Sequence, residues 1–254
     1  MLSLSVAGCL GGEDEKPPSK VHLVWGAETT AGTVYHTYAP NSQNQTQDLV
    51  SAEFTFDFNE TYSEEGDIDK FWVDPGNGGQ VVEVSASDMS TVTISYDQHG
   101  IYRAVLGAND TNGNSDTVEV LLRVEYHISY DNQNEGDPYP IWFDCAPGSQ
   151  EASPSRVDLL SNVTNPTSPL PFSGGPSTVT WVVRDPSDAE IESSTKEIQD
   201  GASDQFGWGE NDPLAGGWRL DIDVDGDNVN TETNIEITYE ALETPVPEPP
   251  VQQG

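Results

Sequence analysis

The feature that most constrains this chain is a run of alternating side chains between residues 92 and 124. One set of small or apolar residues recurs at every second position: Tyr102, Ala104, Leu106 and Ala108. A second set does so beyond the hairpin signal Asn112-Gly113: Val118, Val120, Leu122 and Val124. This period of two places one set of side chains on a single face of a β-strand. We therefore predict an antiparallel β-module in the middle of the chain.

The same pattern occurs on both sides of this module. Phe54, Phe56 and Phe58 alternate with polar residues, and so do the apolar residues of 218–224 and 235–239, which we expect to pair as a hairpin. Because 254 residues suffice for two sandwiches of ordinary size, the predicted fold class is all-β with two β-sandwich domains. The predicted segments are a partial signal and lipobox segment (1–8), an acidic linker (9–19), a first sandwich (20–125), a second sandwich (126–242) and a proline-rich, disordered tail (243–254).

The excess of acidic residues is the strongest signal in the composition. The chain has 44 Asp and Glu residues against 9 Lys and Arg, a formal net charge of -35. Such a surface repels itself at ordinary ionic strength, whereas in molar salt the Debye length falls to about 3 Å and the repulsion is screened. The composition favours a halophilic protein over a moderately acidic secreted one. Nucleic acid is not an expected partner, because the sequence has no basic stripe to neutralise phosphates.

The N-terminal residues carry a signal for export and lipidation. Val6-Ala7-Gly8-Cys9 resembles the lipobox of secreted lipoproteins, in which the cysteine receives lipid and becomes the mature N-terminus. Only eight residues precede Cys9, so we expect the true start to lie further upstream. The predicted protein is held by this lipid at the outer face of the cytoplasmic membrane, on the cell surface. The alternative is a frayed apolar terminus with an incidental cysteine.

Cys145 is the other of the two cysteines. If Cys9 carries lipid, Cys145 has no disulfide partner, and the apolar residues before it predict a small buried side chain. No His or basic residue lies nearby in the sequence to lower the pKa of its thiol, so a catalytic thiol is disfavoured. A disulfide between the two cysteines is the alternative, which a secreted compartment would permit.

From about residue 50 to residue 125 the sequence resembles the polycystic-kidney-disease (PKD) domain family. The matching positions are Glu65, Gly66, Ile68, Phe71, Asp74, Gly76, Gly78, Tyr96, Gly100, Tyr102, Leu106 and Asp110. Val73, Pro75 and Asn77 depart from the Trp-Asp-Phe-Gly-Asp-Gly box of that family. The resemblance implies an immunoglobulin-like sandwich in a haloarchaeal-type surface lipoprotein, acting as an interaction or spacer module. The family has no common ligand or catalytic residue to carry over.

Acidic residues near the C-terminus raise the question of a calcium site. The D-x-D-x-D-G-x5-E spacing of an EF-hand loop is met by Asp221, Asp223, Asp225, Gly226 and Glu232. The first half of this motif lies on a predicted strand without a flanking amphipathic helix, which argues against such a loop. A β-turn calcium site formed by Asp225, Asp227 and Asn228 remains an alternative hypothesis. The alternative is an acidic strand face adapted to salt.

Four Asn-x-Ser/Thr sequons predict N-glycosylation in a secreted protein. They begin at Asn44, Asn59, Asn109 and Asn162. Because Asn and Thr are frequent in this chain, some sequons arise by chance, and we expect only a subset to be used.

Motifs of catalysis are absent from the sequence. It has no G-x-S-x-G elbow, P-loop or G-x-G-x-x-G, and its four histidines show no metal-ligand spacing. We therefore predict a non-enzymatic binding or adhesion module of the cell surface, with a glycan or a surface protein as partner. One alternative is a structural subunit of an extracellular filament or virion. Another is the accessory binding component of an exported hydrolase, which needs an apolar concave pocket with converging polar groups.

Overall fold

The computed structural model describes residues 19–168 and 174–247. Cys9, the lipobox, the linker up to residue 18 and residues 248–254 lie outside the described residues. Every regular element within the described ranges is a β-strand, which confirms the all-β prediction. In those ranges we find no helix long and apolar enough to cross a membrane.

Eighteen strands follow one another along the described chain. The first ten are β1 (Val21–His22), β2 (Gly26–Ala27), β3 (Ala31–Tyr38), β4 (Thr46–Val50), β5 (Ala52–Asp57), β6 (Tyr62–Ser63), β7 (Ile68–Asp74), β8 (Val82–Ser85), β9 (Thr91–Tyr96) and β10 (Gly100–Asp110). The other eight are β11 (Ser115–Glu135), β12 (Ile141–Asp144), β13 (Arg156–Thr164), β14 (Ser177–Arg184), β15 (Glu190–Ile198), β16 (Ser203–Asn211), β17 (Gly217–Asp225) and β18 (Val229–Thr238). Alternate burial along β5, with Phe54 and Phe56 inside, follows the period of two read from the sequence.

The first sandwich packs two sheets around one core. Strands β2, β5 and β9 form one sheet in that order, and β8, β7, β10 and β11 form the other. Strand β3 runs parallel to β11 on the edge opposite β10. This is the strand order of the immunoglobulin fold, and Tyr102 forms a tyrosine corner, because its hydroxyl donates to the Gln98 carbonyl over 2.8 Å. The β-sandwich prediction is confirmed, while the PKD resemblance stays a prediction.

The hairpin between β10 and β11 has the turn that the sequence predicts. Gly113 has a φ of +86°, the left-handed region that glycine adopts at little cost. The Asp110 carboxylate accepts hydrogen bonds from the Asn112 and Asn114 amides over 2.9 and 2.8 Å and from the Ser63 hydroxyl over 2.7 Å. These bonds, above all one from the Asn114 side chain, lower the pKa of Asp110 to about 2.

The second sandwich consists of the second half of β11 and the seven strands after it. One sheet has the order β11-β18-β13-β16 and the other has the order β12-β17-β14-β15. Two four-stranded sheets connected in this order are a jelly roll, which is built from two Greek keys. The expected hairpin of residues 218–224 and 235–239 is wrong, because β17 and β18 lie in opposite sheets. Trp218 and Ile235 do face inward, but they enter the same core from opposite sheets.

Strand β11 belongs to both sandwiches. Val120 and Leu122 enter the first core, whereas Ile128 and Tyr130 enter the second. Because all four have even numbers, both cores lie on the same face of β11, and its odd-numbered side chains point to the other face. The two sandwiches thus share one nine-stranded sheet, and two smaller sheets cover one of its faces. The predicted domain boundary near residue 126 falls in the middle of β11.

Two further segments add to the sequence-based picture. Residues 189–200, where the pattern did not separate helix from strand, contain the edge strand β15. The predicted disordered tail starts with residues that hydrogen bonds hold in place, because the Thr244 amide donates to the Leu121 carbonyl over 2.9 Å. Arg123 also pairs with Glu243 over 2.8 Å. Residues 243 and 244 therefore belong to the folded structure along β11, contrary to the predicted start of the tail.

Candidate functional site

The outer face of the nine-stranded sheet is polar where it covers the second sandwich. We call this surface the polar face, and it consists of Tyr35 and Thr37 on β3, His127, Ser129, Asp131 and Gln133 on β11, Arg156, Asp158, Leu160, Asn162 and Thr164 on β13, Gln205, Gly207 and Gly209 on β16, and Asn230, Glu232, Asn234 and Glu236 on β18. Their neighbours along each strand point into the core, as Ile235 does between Asn234 and Glu236. The period of two therefore separates an apolar inner surface from a polar outer one.

Strand register aligns these side chains in rows that cross the strands. Leu160 pairs with Asn234, and Asn234 pairs with Ser129, so the three side chains stand side by side. Gly207 on β16 and Thr37 on β3 extend this row in the two directions. Glycine, serine and threonine are short, so the row is low at both ends. The flanking rows carry longer polar side chains, and the surface between them is concave.

A hollow of about 770 Å³ lies on the β16 side of the polar face. We call it the central hollow. Gly207 leaves its outer end without a side-chain wall, whereas the side chains of Arg156 and Asp158 cover Gly209. Leu160, 42% exposed, forms an apolar part of the lining. Asn234 and Glu236 line it with an amide and a carboxylate. A ligand in the central hollow would meet an apolar surface between hydrogen-bonding groups.

A second hollow of about 600 Å³ lies beside the first, and we call it the amide hollow. Its lining includes three amides, two hydroxyls and two carboxylates, from Gln133, Asn162, Asn230, Ser129, Thr37, Asp131 and Glu232. Amides and hydroxyls can both donate and accept hydrogen bonds, whereas ionised carboxylates only accept them. This mixture of groups suits a ligand that carries many neutral hydroxyls.

Smaller hollows extend both of these across the sheet. One of about 140 Å³ continues the central hollow past His127 and Glu236, which line both, and reaches Tyr35. Tyr35 is 51% exposed, and its ring lies 5.6 Å from that of His127. Another hollow of about 450 Å³ continues the amide hollow to Gln205 on β16. The concave surface therefore runs across the strands from β16 to β3.

The charges on the polar face are mainly negative. Arg156 is its one arginine or lysine, and the Arg156 Nε and Nη2 atoms donate to the Asp158 carboxylate over 2.6 and 2.5 Å. Hydrogen bonding to Asp158 raises the pKa of Arg156, so this guanidinium is charged and already paired. His127 Nδ1 lies 3.5 Å from Glu236 Oε1. The face therefore disfavours polyanions.

The structure does not bring the predicted calcium ligands together. They are distributed over two opposite sheets and a turn: Asp221, Asp223, Asp225, Asp227, Asn228 and Glu232. Asp221 accepts hydrogen bonds from Arg184 and Arg219, each over 3.1 Å. Glu232 is on the polar face, on the other side of the sandwich from Asp221. The residues that match the EF-hand spacing in the sequence are therefore not close together in the structure.

The turn residues of the alternative calcium site are engaged separately. The Asp227 carboxylate accepts a hydrogen bond from the Gly175 amide over 2.7 Å, and the Asn228 side chain donates to the Asn134 carbonyl over 2.9 Å. Among residues 19–168 and 174–247, no group of three or more His, Cys, Asp or Glu residues is placed to hold a metal ion.

The sequons and Cys145 occupy different environments. Asn44 and Asn59 are exposed, whereas Asn109 and Asn162 are partly buried on strands. Asn162 also lines the amide hollow. N-glycosylation stays a prediction at all four. Cys145 is fully buried, as predicted, and burial raises the pKa of its thiol to about 12.

Comparison with known proteins finds only distant likeness. No protein-family model matches the sequence, and no curated protein matches it. One similar solved structure is a carbohydrate-binding module of the β-sandwich superfamily, at 13% identity and a TM-score of 0.26 over 82% of this chain and 97% of the other. Another is a structure of broad bean stain virus, at 10% identity and a TM-score of 0.27 over 82% and 98%. We infer no ligand or activity from likenesses this distant.

Sequence reasoning missed the polar face as a site. The signal was present in β18, where acids and amides alternate with Ile235 and Ile237. We interpreted these acids as salt adaptation, because a single strand does not show which other side chains stand beside it. The register with β13 and β11 brings them together.

Proposed function

We propose that this protein is a non-catalytic extracellular module that binds carbohydrate on its polar face. The observation that carries this proposal is the chemistry of the two hollows. The central hollow combines the exposed Leu160 with an amide and carboxylates, and the amide hollow adds further amides, hydroxyls and carboxylates. A sugar presents hydroxyls that donate and accept hydrogen bonds, and it also presents the C–H groups of its ring. Each kind of group has a partner on this face.

The same face is less suited to a protein partner. The buried centre of a protein interface is rich in aromatic side chains and poor in charged ones. On the polar face, Tyr35 and Leu160 are the large apolar side chains with high exposure, and acids stand among them. A hydrated glycan tolerates this polarity, because it exchanges hydrogen bonds with water for hydrogen bonds with protein.

We also propose that the module works in high salt, anchored to the membrane through a lipid on Cys9. The ion pairs support the high-salt part of this proposal. Every lysine and arginine in the described residues forms an ion pair with an acidic side chain. These basic side chains are therefore not available to neutralise the many remaining carboxylates. Dissolved cations would have to screen that excess.

A structural subunit of an assembly is the second candidate function. Edge strand β4 is exposed at every residue, including Leu49 and Val50, and pairs only with β3 among the described strands. An exposed edge strand can pair with another chain. Light scattering in molar KCl checks this function: a defined oligomer or filament supports it, and a monomer at high concentration argues against it.

A matched pair of variants tests carbohydrate binding. Ser129 lies on the polar face, and Ser193 is exposed on β15 in the opposite sheet. Affinity electrophoresis in molar KCl would compare wild type, Ser129→Trp and Ser193→Trp against neutral and acidic polysaccharides. We expect Ser129→Trp to weaken binding at least tenfold, about 1.4 kcal/mol, and Ser193→Trp to leave it unchanged. Equal affinities of the two variants, or no retardation of wild type by any polysaccharide, would contradict the proposal.

A further inference from the structure

We infer that the ligand is a neutral, unbranched polysaccharide whose chain lies across the strands, from Gly207 on β16 to Tyr35 on β3. This inference rests on the proposed carbohydrate binding and specifies the ligand class. The central hollow and the small hollow beyond it adjoin at His127 and Glu236, which line both, and the inferred chain passes over these two side chains from one hollow to the other. The path crosses β16, β13, β18, β11 and β3.

The length of this path sets the number of sugar residues. Neighbouring strands are about 4.8 Å apart, so the four intervals between five strands span about 19 Å. Each residue of a 1,4-linked pyranose chain extends the chain by a distance close to the spacing between neighbouring strands. About four sugar residues therefore fit along the path, one for each interval.

The β16 end of the path is open, and an exposed aromatic ring lines the β3 end. A Cβ atom at Gly207 would meet nothing closer than Leu160 Cδ1 at 3.9 Å, and the φ of Gly207 is not in the left-handed region. The fold therefore does not require glycine here, and the missing side chain leaves the β16 end without a wall. At the other end the exposed Tyr35 ring offers a flat apolar surface to a sugar ring. Open ends admit the interior of a long chain, whereas a closed pocket would select a chain end.

The charges along the path favour a neutral chain. The guanidinium of Arg156 is occupied by Asp158, and Glu236 adds a further carboxylate. A uronic acid polymer would place its carboxylates against these acids. Hydroxyls of a neutral chain can instead donate to the same carboxylates.

The first test is a length series with the wild-type protein. Cello-, manno- and xylo-oligosaccharides of two to six units would be titrated by calorimetry in molar KCl, with oligogalacturonates as the charged comparison. We expect affinity for at least one neutral series to rise at least tenfold from two units to about four and then to level off. A disaccharide that binds as tightly as a hexasaccharide, or preferential binding of the oligogalacturonates, would overturn the inference.

The second test blocks the open end. Gly207→Trp places a wall at the β16 edge, and Gly217→Trp is the control, because Gly217 is an exposed strand glycine of the opposite sheet with Trp142 as its nearest neighbour at 3.9 Å. Gly207→Trp should weaken hexasaccharide binding at least tenfold and leave disaccharide binding unchanged, whereas Gly217→Trp should alter neither.

The outcomes separate this inference from the proposed function. If Gly207→Trp binds the hexasaccharide like wild type while Ser129→Trp does not, the path is wrong and carbohydrate binding stands. If wild type binds no carbohydrate, both fail. Thermal unfolding checks that each variant is folded, and the length series gives a result even if Gly207→Trp does not fold.

Discussion

Replacing His99 with alanine should destabilise both sandwiches together. His99 is 3% exposed and lies in the turn between β9 and β10 of the first sandwich. Its Nε2 atom donates to the Asp144 carbonyl over 2.9 Å, and its Nδ1 atom accepts a hydrogen bond from the Tyr239 hydroxyl over 2.6 Å. Both partners belong to the second sandwich. The His99 ring also stacks on Tyr126 of the shared strand β11, with centroids 5.5 Å apart.

The size of the effect follows from these contacts. The alanine variant leaves the Tyr239 hydroxyl and the Asp144 carbonyl without their partner, and each unpaired buried polar group costs about 1–3 kcal/mol. Loss of the ring contact with Tyr126 adds about 0.5–1.5 kcal/mol. Water that enters the vacated space would recover part of this loss. We expect the free energy of unfolding to fall by about 3 kcal/mol.

Urea unfolding in molar KCl measures this change, with near-UV and far-UV circular dichroism as probes of tertiary and secondary structure. His22→Ala is the control, because His22 is a partly exposed histidine of the first sandwich, and its loss should cost no more than about 0.5 kcal/mol. A loss below about 1 kcal/mol for His99→Ala, or a transition that splits in two with only one phase shifted, would refute the coupling of the sandwiches through His99.

Three further predictions concern pH, a single hydroxyl and the environment. Burial lowers the pKa of His99 below its ordinary 6.5, so the unfolded chain binds a proton at this residue more readily than the folded protein does. The contribution of His99 to stability should therefore be complete above about pH 6.5 and lost as the pH falls through the folded pKa. Urea titrations should show a weaker dependence of stability on pH in His99→Ala than in wild type. Tyr102→Phe removes the hydrogen bond to the Gln98 carbonyl and should cost about 1 kcal/mol by the same assay, and an unchanged midpoint would argue against the tyrosine corner. Lowering the salt concentration below about 0.5 M should reduce the melting temperature, because repulsion among the acidic side chains is then less screened. A melting temperature that does not change with salt concentration would contradict halophilic adaptation.

Local structure was largely predictable from the sequence. The alternation of Tyr102, Ala104 and Leu106 fixes which side chains are buried, because a strand has only two faces. The Asn112-Gly113 turn was predictable as well, since glycine adopts the positive φ that the turn requires. Both features depend on residues close together in the chain.

Strand partners were not predictable in the same way. Trp218 and Ile235 were correctly expected to face inward, but the pattern does not say whether two inward-facing strands are neighbours or lie opposite each other. The polar face was missed for the same reason. Leu160 and Ser129 come to stand on either side of Asn234 only through two registers between distant strands.

Amide chemical-shift mapping by NMR tests carbohydrate binding at the polar face most directly. The protein would be titrated in molar KCl with the longest oligosaccharide that it binds. The account predicts that the largest shifts fall on β13, β18 and β11, around Leu160, Asn234 and Ser129, and that β14, β15 and β17 of the opposite sheet stay unchanged. Shifts concentrated on the opposite sheet, or confined to the first sandwich, would contradict it.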